Sequence, residues 1–272
     1  MPDDLHDFER SSFTHAGKTR DVYRKGEGPA VIVMAEIPGI TPRVLDFARR
    51  VVEVGCSVTL PHLFGEPGKE PTRGTRPDVA YTLRSIAPAC VSKEFAAFAT
   101  GRTEPVSEWL RALSKAEWER CGGPGVGAVG MCFTGGFALG MMVDEHVLAP
   151  VLSQPSLPIG FTRKVKADVH LSPADLARVK ERADAGVCVL GLRFTGDALA
   201  PGERFATLRR ELGDRFIGVE IDSSPGNPWG IRKLAHSVLT EDLVDEPGHP
   251  THDALQQVLE FFRERLVDPA GD

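Results

Sequence analysis

The 272-residue chain has no excess of basic charge, with 32 lysines and arginines against 38 aspartates and glutamates, a net of −6. Nucleic acids and anionic membranes select for basic stripes or polybasic runs, so their absence points to a small-molecule partner. No apolar segment approaches the length needed to span a bilayer, and the N-terminal MPDDLHDFERSS lacks the basic start and apolar run of a secretory signal. The expectation is a cytoplasmic monomer or small homo-oligomer that binds neither nucleic acid nor membrane. Paired cysteines are missing too. Cys56, Cys90, Cys121, Cys132 and Cys188 are odd in number and scattered, with no C-x-x-C, which argues against a disulfide framework or a zinc ribbon. No internal repeat, linker or break in composition divides the chain. One domain over residues 1–272 is expected, with 1–20 a polar N-terminal extension and 65–104 a surface excursion near the site.

What is present is an alternation of apolar runs and amphipathic stretches. PAVIVMAEI, from Pro29 to Ile37, is continuous, β-branched and too short for a helix, as expected of a buried parallel strand. PRVLDFARRVVEVG places Val44, Leu45, Phe47, Ala48, Val51 and Val52 on one helical stripe, and SVTLPHLFG is the next strand. Strand, helix, strand in this order is a βαβ unit. After the Gly-, Pro-, Thr- and Arg-rich excursion come VSKEFAAFA and a helix from Pro105 to the stop at Gly122 and Gly123. Four more strands follow, VGAVGMC, APVLSQPS, CVLGLRFTGD and FIGVEIDSS, each trailed by a helical stretch that ends in THDALQQVLEFFRERL. Six strands in this pattern predict a three-layer α/β sandwich with a mostly parallel sheet, whose ligand site lies at the carboxyl ends of the strands.

At one such end lies GVGAVGMCFTGG. Its Gly125, Gly127 and Gly130 have the spacing of a dinucleotide turn, but that turn needs a strand before its first glycine and a helix at its last. Here a helix precedes the glycines and the strand lies between them. The stretch fits a nucleophile elbow instead: strand VGAVGM, turn residue Cys132, then a helix from Phe133 or Thr134. A cysteine at a helix N-terminus faces the positive end of the helix dipole, which favours thiolate over thiol.

A cysteine nucleophile needs a base, and the base an orienting acid. Of the eight histidines, His236 lies between the last strand and the last helix, the place of a hydrolase histidine. Asp197 ends CVLGLRFTGD, and Asp222, after the final strand, is its rival. His249 and His252 offer a two-residue metal pair with no third cluster, so they read as the start of a surface helix, and neither metal nor cofactor is expected.

With these residues the chain resembles the dienelactone hydrolase family, a cysteine branch of the α/β hydrolases. VIVMAEIPGI, SVTLPHLFGEP, VGAVGMCFTGGFAL, GLRFTGD and AHSV carry the resemblance. It implies hydrolysis of small esters or lactones through a thioester, with Cys132 attacking, His236 as base and acid, and Asp197 holding its tautomer. It further implies that Glu36 sits beside the nucleophile and helps convert thiol to thiolate, and that the amides of Ile37 and Phe133 form the oxyanion hole. Two positions depart from the family. Thr134 stands where the elbow has glycine, and Thr240 stands where an arginine holds the substrate carboxylate, leaving Arg84 and Arg102 as substitutes. The alternatives are a thiol enzyme of the class I glutamine amidotransferase or DJ-1 type, and a non-catalytic reactive-thiol binding protein.

Overall fold

The computed structural model describes Asp3 and residues 5–73, 76–91, 105–156 and 162–269. Its main sheet is built from β1 (Glu9–His15), β2 (Lys18–Lys25), β3 (Ala30–Met34), β4 (Ser57–Pro61), β7 (Val126–Met131), β8 (Val147–Ser153), β9 (Val189–Phe194) and β10 (Phe216–Ile221). The order across the sheet is β1-β2-β4-β3-β7-β8-β9-β10. From β4 to β10 neighbours are parallel, and β2 runs antiparallel to both β1 and β4. Two short strands, β5 (Thr72–Arg73) and β6 (Arg76–Pro77), pair separately.

The helices are α1 (Pro42–Glu53), α2 (Val79–Val91), α3 (Pro105–Cys121), α4 (Gly135–Met141), α5 (Arg163–Ala167), α6 (Pro173–Asp184), α7 (Gly202–Leu212) and α8 (Pro250–Phe262). Side-chain alternation along β3 divides them into layers. Val31 and Val33 pack with residues of α1 and α8, whereas Ala30, Ile32 and Met34 pack with residues of α3 and α4. The result is the α/β hydrolase-like sandwich, helices on both faces of a mostly parallel sheet.

Two corrections to the sequence reading follow. Residues 1–20, read as a polar extension, contain β1 and the start of β2. These antiparallel strands are made mostly of polar residues, so they lack the apolar signature that marked the parallel strands. The excursion over 65–104 contains α2. Its start is capped by Asp78, whose Oδ1 accepts from the Tyr81 amide at 3.0 Å. Pro77 and Pro88 hide this helix in the sequence, since proline reads as a breaker. The VSKEFAAFA helix falls, after Val91, outside the described residues. Among the described residues no helix is long and apolar enough to cross a membrane.

Candidate active site

Adjacent parallel strands bring the candidate residues to one edge. The β3–β7 register pairs Met34 with Gly130, so the turn that follows each strand, with Glu36 and Ile37 on one side and Cys132 and Phe133 on the other, emerges beside its neighbour. Cys132 has φ +56°, the left-handed region that a side chain rarely occupies and that an elbow demands. Gly130 is required by the same turn, because a Cβ there would lie 2.1 Å from the Thr134 carbonyl oxygen. Gly135 lets α4 approach Pro155, whose Cα would stand 2.7 Å from an added Cβ.

Thr134 turns its departure from the glycine pattern into a stitch. Its hydroxyl accepts from the Met131 amide at 2.8 Å and is within donor reach of the Met34 carbonyl at 2.8 Å and the Met131 carbonyl at 2.9 Å. The side chain is wholly buried and ties the elbow to the end of β3.

His236 stands in the long segment between β10 and α8. Its Nδ1 meets Asp197 Oδ2 at 2.6 Å, and Asp197, buried just beyond β9, also accepts from the Leu199 amide at 2.9 Å. The rival Asp222 is exposed and accepts from the Ser224 amide at 2.9 Å. Burial works against charge on the His236 ring, but hydrogen bonding to Asp197 and Cys132 outweighs it and raises the ring pKa far above that of an ordinary histidine. Among the described residues Nε2 has no hydrogen-bond partner of good geometry. The Cys132 sulfur instead meets Ser156 Oγ at 3.0 Å.

Glu36 is brought to the same edge, but its hydrogen bonds run to the histidine segment. Oε2 accepts from Ser237 Oγ at 2.6 Å and from Gln154 Nε2 at 3.3 Å, and Oε1 accepts from Thr240 Oγ1. Thr240, which stands where the resemblance expects an arginine, thus bonds the Glu36 carboxylate. Asp242 accepts the amides of His236 and Ser237 at 2.8 and 3.1 Å, so the histidine backbone is fixed from two sides. Arg84 lies exposed on α2, and Arg102 falls outside the described residues.

The wall beside the elbow is apolar. Phe133 packs against Phe64 and Phe137 at ring-centroid distances of 6.1 and 5.4 Å, with Ile37 and Cys132 on the margin of the same cluster. His249 and His252 turn to different partners, Thr251 and Asp245, and among the described residues no three His, Cys, Asp or Glu side chains converge as metal ligands. Sequence reasoning missed Ser156, Gln154 and Ser237, which lie 24 to 201 residues from the groups they touch and leave no local pattern.

An eight-stranded, mostly parallel sheet with a strand–elbow–helix at its carboxyl edge defines the α/β hydrolase-like class. The model of the dienelactone hydrolase family matches residues 18–266, and the chain belongs to that family of hydrolases, which sets aside the glutamine amidotransferase alternative. No curated protein matches it in sequence. Among solved structures it is similar to a putative dienelactone hydrolase from Klebsiella pneumoniae subsp. pneumoniae MGH 78578, at 17% identity over 94% of this chain and 97% of that one, with TM-score 0.58. It is also similar to a dienelactone hydrolase from Anabaena variabilis ATCC 29413, at 15% identity, 96% and 100% coverage and TM-score 0.59. A dienelactone hydrolase-like promiscuous phosphotriesterase from metagenomic libraries matches at 16% identity, 95% and 98% coverage and TM-score 0.59. At these identities the structures share the fold.

Proposed function

We propose that the protein hydrolyses small carboxylic esters or lactones through a Cys132 thioester. The observation that carries this reading is Cys132 in a left-handed elbow, together with a histidine, His236, that is itself held by a buried aspartate. His236 takes the thiol proton, and the sulfur attacks the carbonyl carbon. The oxyanion is held by the amides of Phe133 and Ile37, each worth about 3 to 4 kcal/mol to the transition state. The C–O bond to the leaving group breaks, and His236 gives its proton to the departing alkoxide. Water then loses a proton to His236 and attacks the thioester, and the sulfur leaves with its electron pair as the carboxylic acid forms.

Asp197 keeps the ring oriented throughout and stabilises its charged form. Glu36, bonded to Ser237 and Thr240, holds the segment that carries His236. The phenylalanine wall suits an apolar acyl group, and the Thr240–Glu36 bond takes the place of the family's carboxylate-binding arginine. The preferred substrate is therefore an uncharged ester or lactone.

The test is turnover of a small activated ester, with mass spectrometry after exposure to a panel of lactones. An acyl adduct on Cys132 in the wild type, together with loss of turnover in Cys132→Ala, is expected. Equal rates for variant and wild type would overturn the reading.

A further inference from the structure

Ser156 touches the candidate nucleophile twice. Its hydroxyl lies 3.0 Å from the Cys132 sulfur, and its amide donates to the Cys132 carbonyl at 3.0 Å. The residue is buried, and the segment that presents it is fixed along its length. Gln154, at φ +35°, donates its amide to the Leu192 carbonyl at 2.7 Å. Pro155 sits against Gly135 at the start of α4, and the Pro155 carbonyl accepts from the buried guanidinium of Arg204. Arg204 also donates to the Asp168 carbonyl at 2.7 Å, so it ties this segment to the approach to α6.

The Ser156 hydroxyl is thus aimed by three neighbouring elements. Ser156 also lines a small cavity of about 10 Å³ with His170, Arg204 and Gly136. That space is no larger than a water molecule needs. The hydroxyl reaches the sulfur.

A hydroxyl at this distance serves either state of the sulfur, as acceptor for S–H or as donor to S⁻. Hydrogen bonding to the charged form favours that form. His236 Nε2, by contrast, has no aligned partner among the described residues. The resting sulfur is therefore oriented by the serine.

Resting on the assignment of Cys132 as nucleophile, we propose that Ser156 is a further catalytic residue: its hydroxyl holds the resting sulfur and donates a hydrogen bond to the thiolate once His236 has taken the proton. No covalent bond to Ser156 forms, and its own proton stays on Oγ. The serine fixes the sulfur rotamer and raises the population of the attacking anion. It also lowers the intrinsic nucleophilicity of that anion, because a stabilised thiolate is a weaker nucleophile. These two effects separate on a pH axis.

The experiment is the rate of Cys132 alkylation by iodoacetamide across the pH range, with Cys132→Ala defining background. In Ser156→Ala the rate near neutral pH should fall about tenfold, the size of one charge-assisted hydrogen bond. The profile should move to higher pH, while its alkaline plateau stays level or rises. Ser156→Thr should restore the wild-type profile. If Ser156→Ala fails to fold by circular dichroism, the near-isosteric pair Ser156→Thr and Ser156→Val supplies the same contrast. Superimposed profiles, or a uniform loss at every pH, would overturn the proposal, since a merely structural role gives the second. Alkylation needs no turnover, so the profile judges Ser156 even if ester hydrolysis is never seen.

Discussion

Glu36 and Glu117 are both almost wholly buried, 4% and 1% exposed, yet they are held in opposite ways. Glu117, on α3, receives two guanidiniums. Arg24 of β2 donates Nε and Nη2 to Oε1 at 2.9 and 2.6 Å, Arg120 donates Nε to Oε2 at 2.8 Å, and Thr59 of β4 adds its hydroxyl at 2.9 Å. The carboxylate is a rivet between a helix and two edge-side strands. Glu36 receives two hydroxyls and a primary amide, all from segments that follow strand ends. Burying a carboxylate is costly in either place. The charge-paired site offsets that cost with opposite charge and fixes a layer. The site with neutral partners offsets it with aimed dipoles and fixes the loop that carries His236.

The largest effect expected from breaking this contrast is at Glu117. In Glu117→Gln the Arg24 guanidinium, 16% exposed, loses its counter-charge. Removing one partner of a buried pair costs about 3 to 5 kcal/mol, and the exposure of Arg120, 42%, places the loss near 3 kcal/mol. Urea unfolding should show it, with turnover per folded molecule unchanged. Burial alone would raise the Glu117 pKa, but the hydrogen bonds from Arg24 and Arg120 outweigh it and hold it below the usual carboxylate value. A depressed folded pKa means the contribution is complete at neutral pH and disappears as pH falls through the folded value. Wild type and Glu117→Gln should therefore converge in acid. A gap independent of pH would show that the charge is not what Glu117 supplies.

The same contrast explains what could be read from sequence. The parallel strands are mostly apolar runs, and all six appear where PAVIVMAEI, SVTLPHLFG and their successors place them. The antiparallel strands ERSSFTH and KTRDVYRK are made mostly of polar side chains, so no apolar run marks them. Cys132 and Asp197 stand out because each sits just past a strand, and His236 because it lies between the last strand and the last helix. Ser156, Ser237 and Gln154 are small polar residues in loops, common everywhere in sequences. Only the folded chain, which brings Ser237 to Glu36 across 201 positions, gives them partners. Thr134 was legible as a departure, but its hydroxyl bonds to Met34, 100 residues away, were not.

A smaller effect is expected at Thr134, which sits in the candidate elbow yet does the work of a rivet. Thr134→Val keeps the shape and removes the hydroxyl that bridges the Met131 amide and the Met34 carbonyl. Leaving buried polar groups without a partner costs about 1 to 3 kcal/mol, so a loss near 2 kcal/mol should appear in thermal or urea unfolding. Thr134→Ser keeps the hydroxyl and should remain within about 1 kcal/mol of wild type. If valine is tolerated as well as serine, the stitch contributes nothing and the threonine is there for its volume.

The smallest effect, and the sharpest, is at Glu36. Glu36→Gln preserves volume and keeps one carbonyl oxygen to accept from Ser237 or Thr240, while its amide nitrogen faces hydroxyls that can rotate to accept. The network survives in weaker form, so unfolding should change by less than about 1 kcal/mol. The segment holding His236 then loses its charge-assisted anchors, and kcat should fall about tenfold, equivalent to about 1.4 kcal/mol in the barrier, with KM little changed. A geometric loss at the histidine lowers the rate without removing ground-state contacts, which is why kcat rather than KM is the quantity to follow. Glu36→Gln and Glu117→Gln are then mirror images, one reducing turnover at near-constant stability, the other reducing stability at constant turnover. Should Glu36→Gln unfold as readily as Glu117→Gln while its folded fraction turns over at the wild-type rate, Glu36 would be a second rivet, and its neutral partners would say nothing about chemistry.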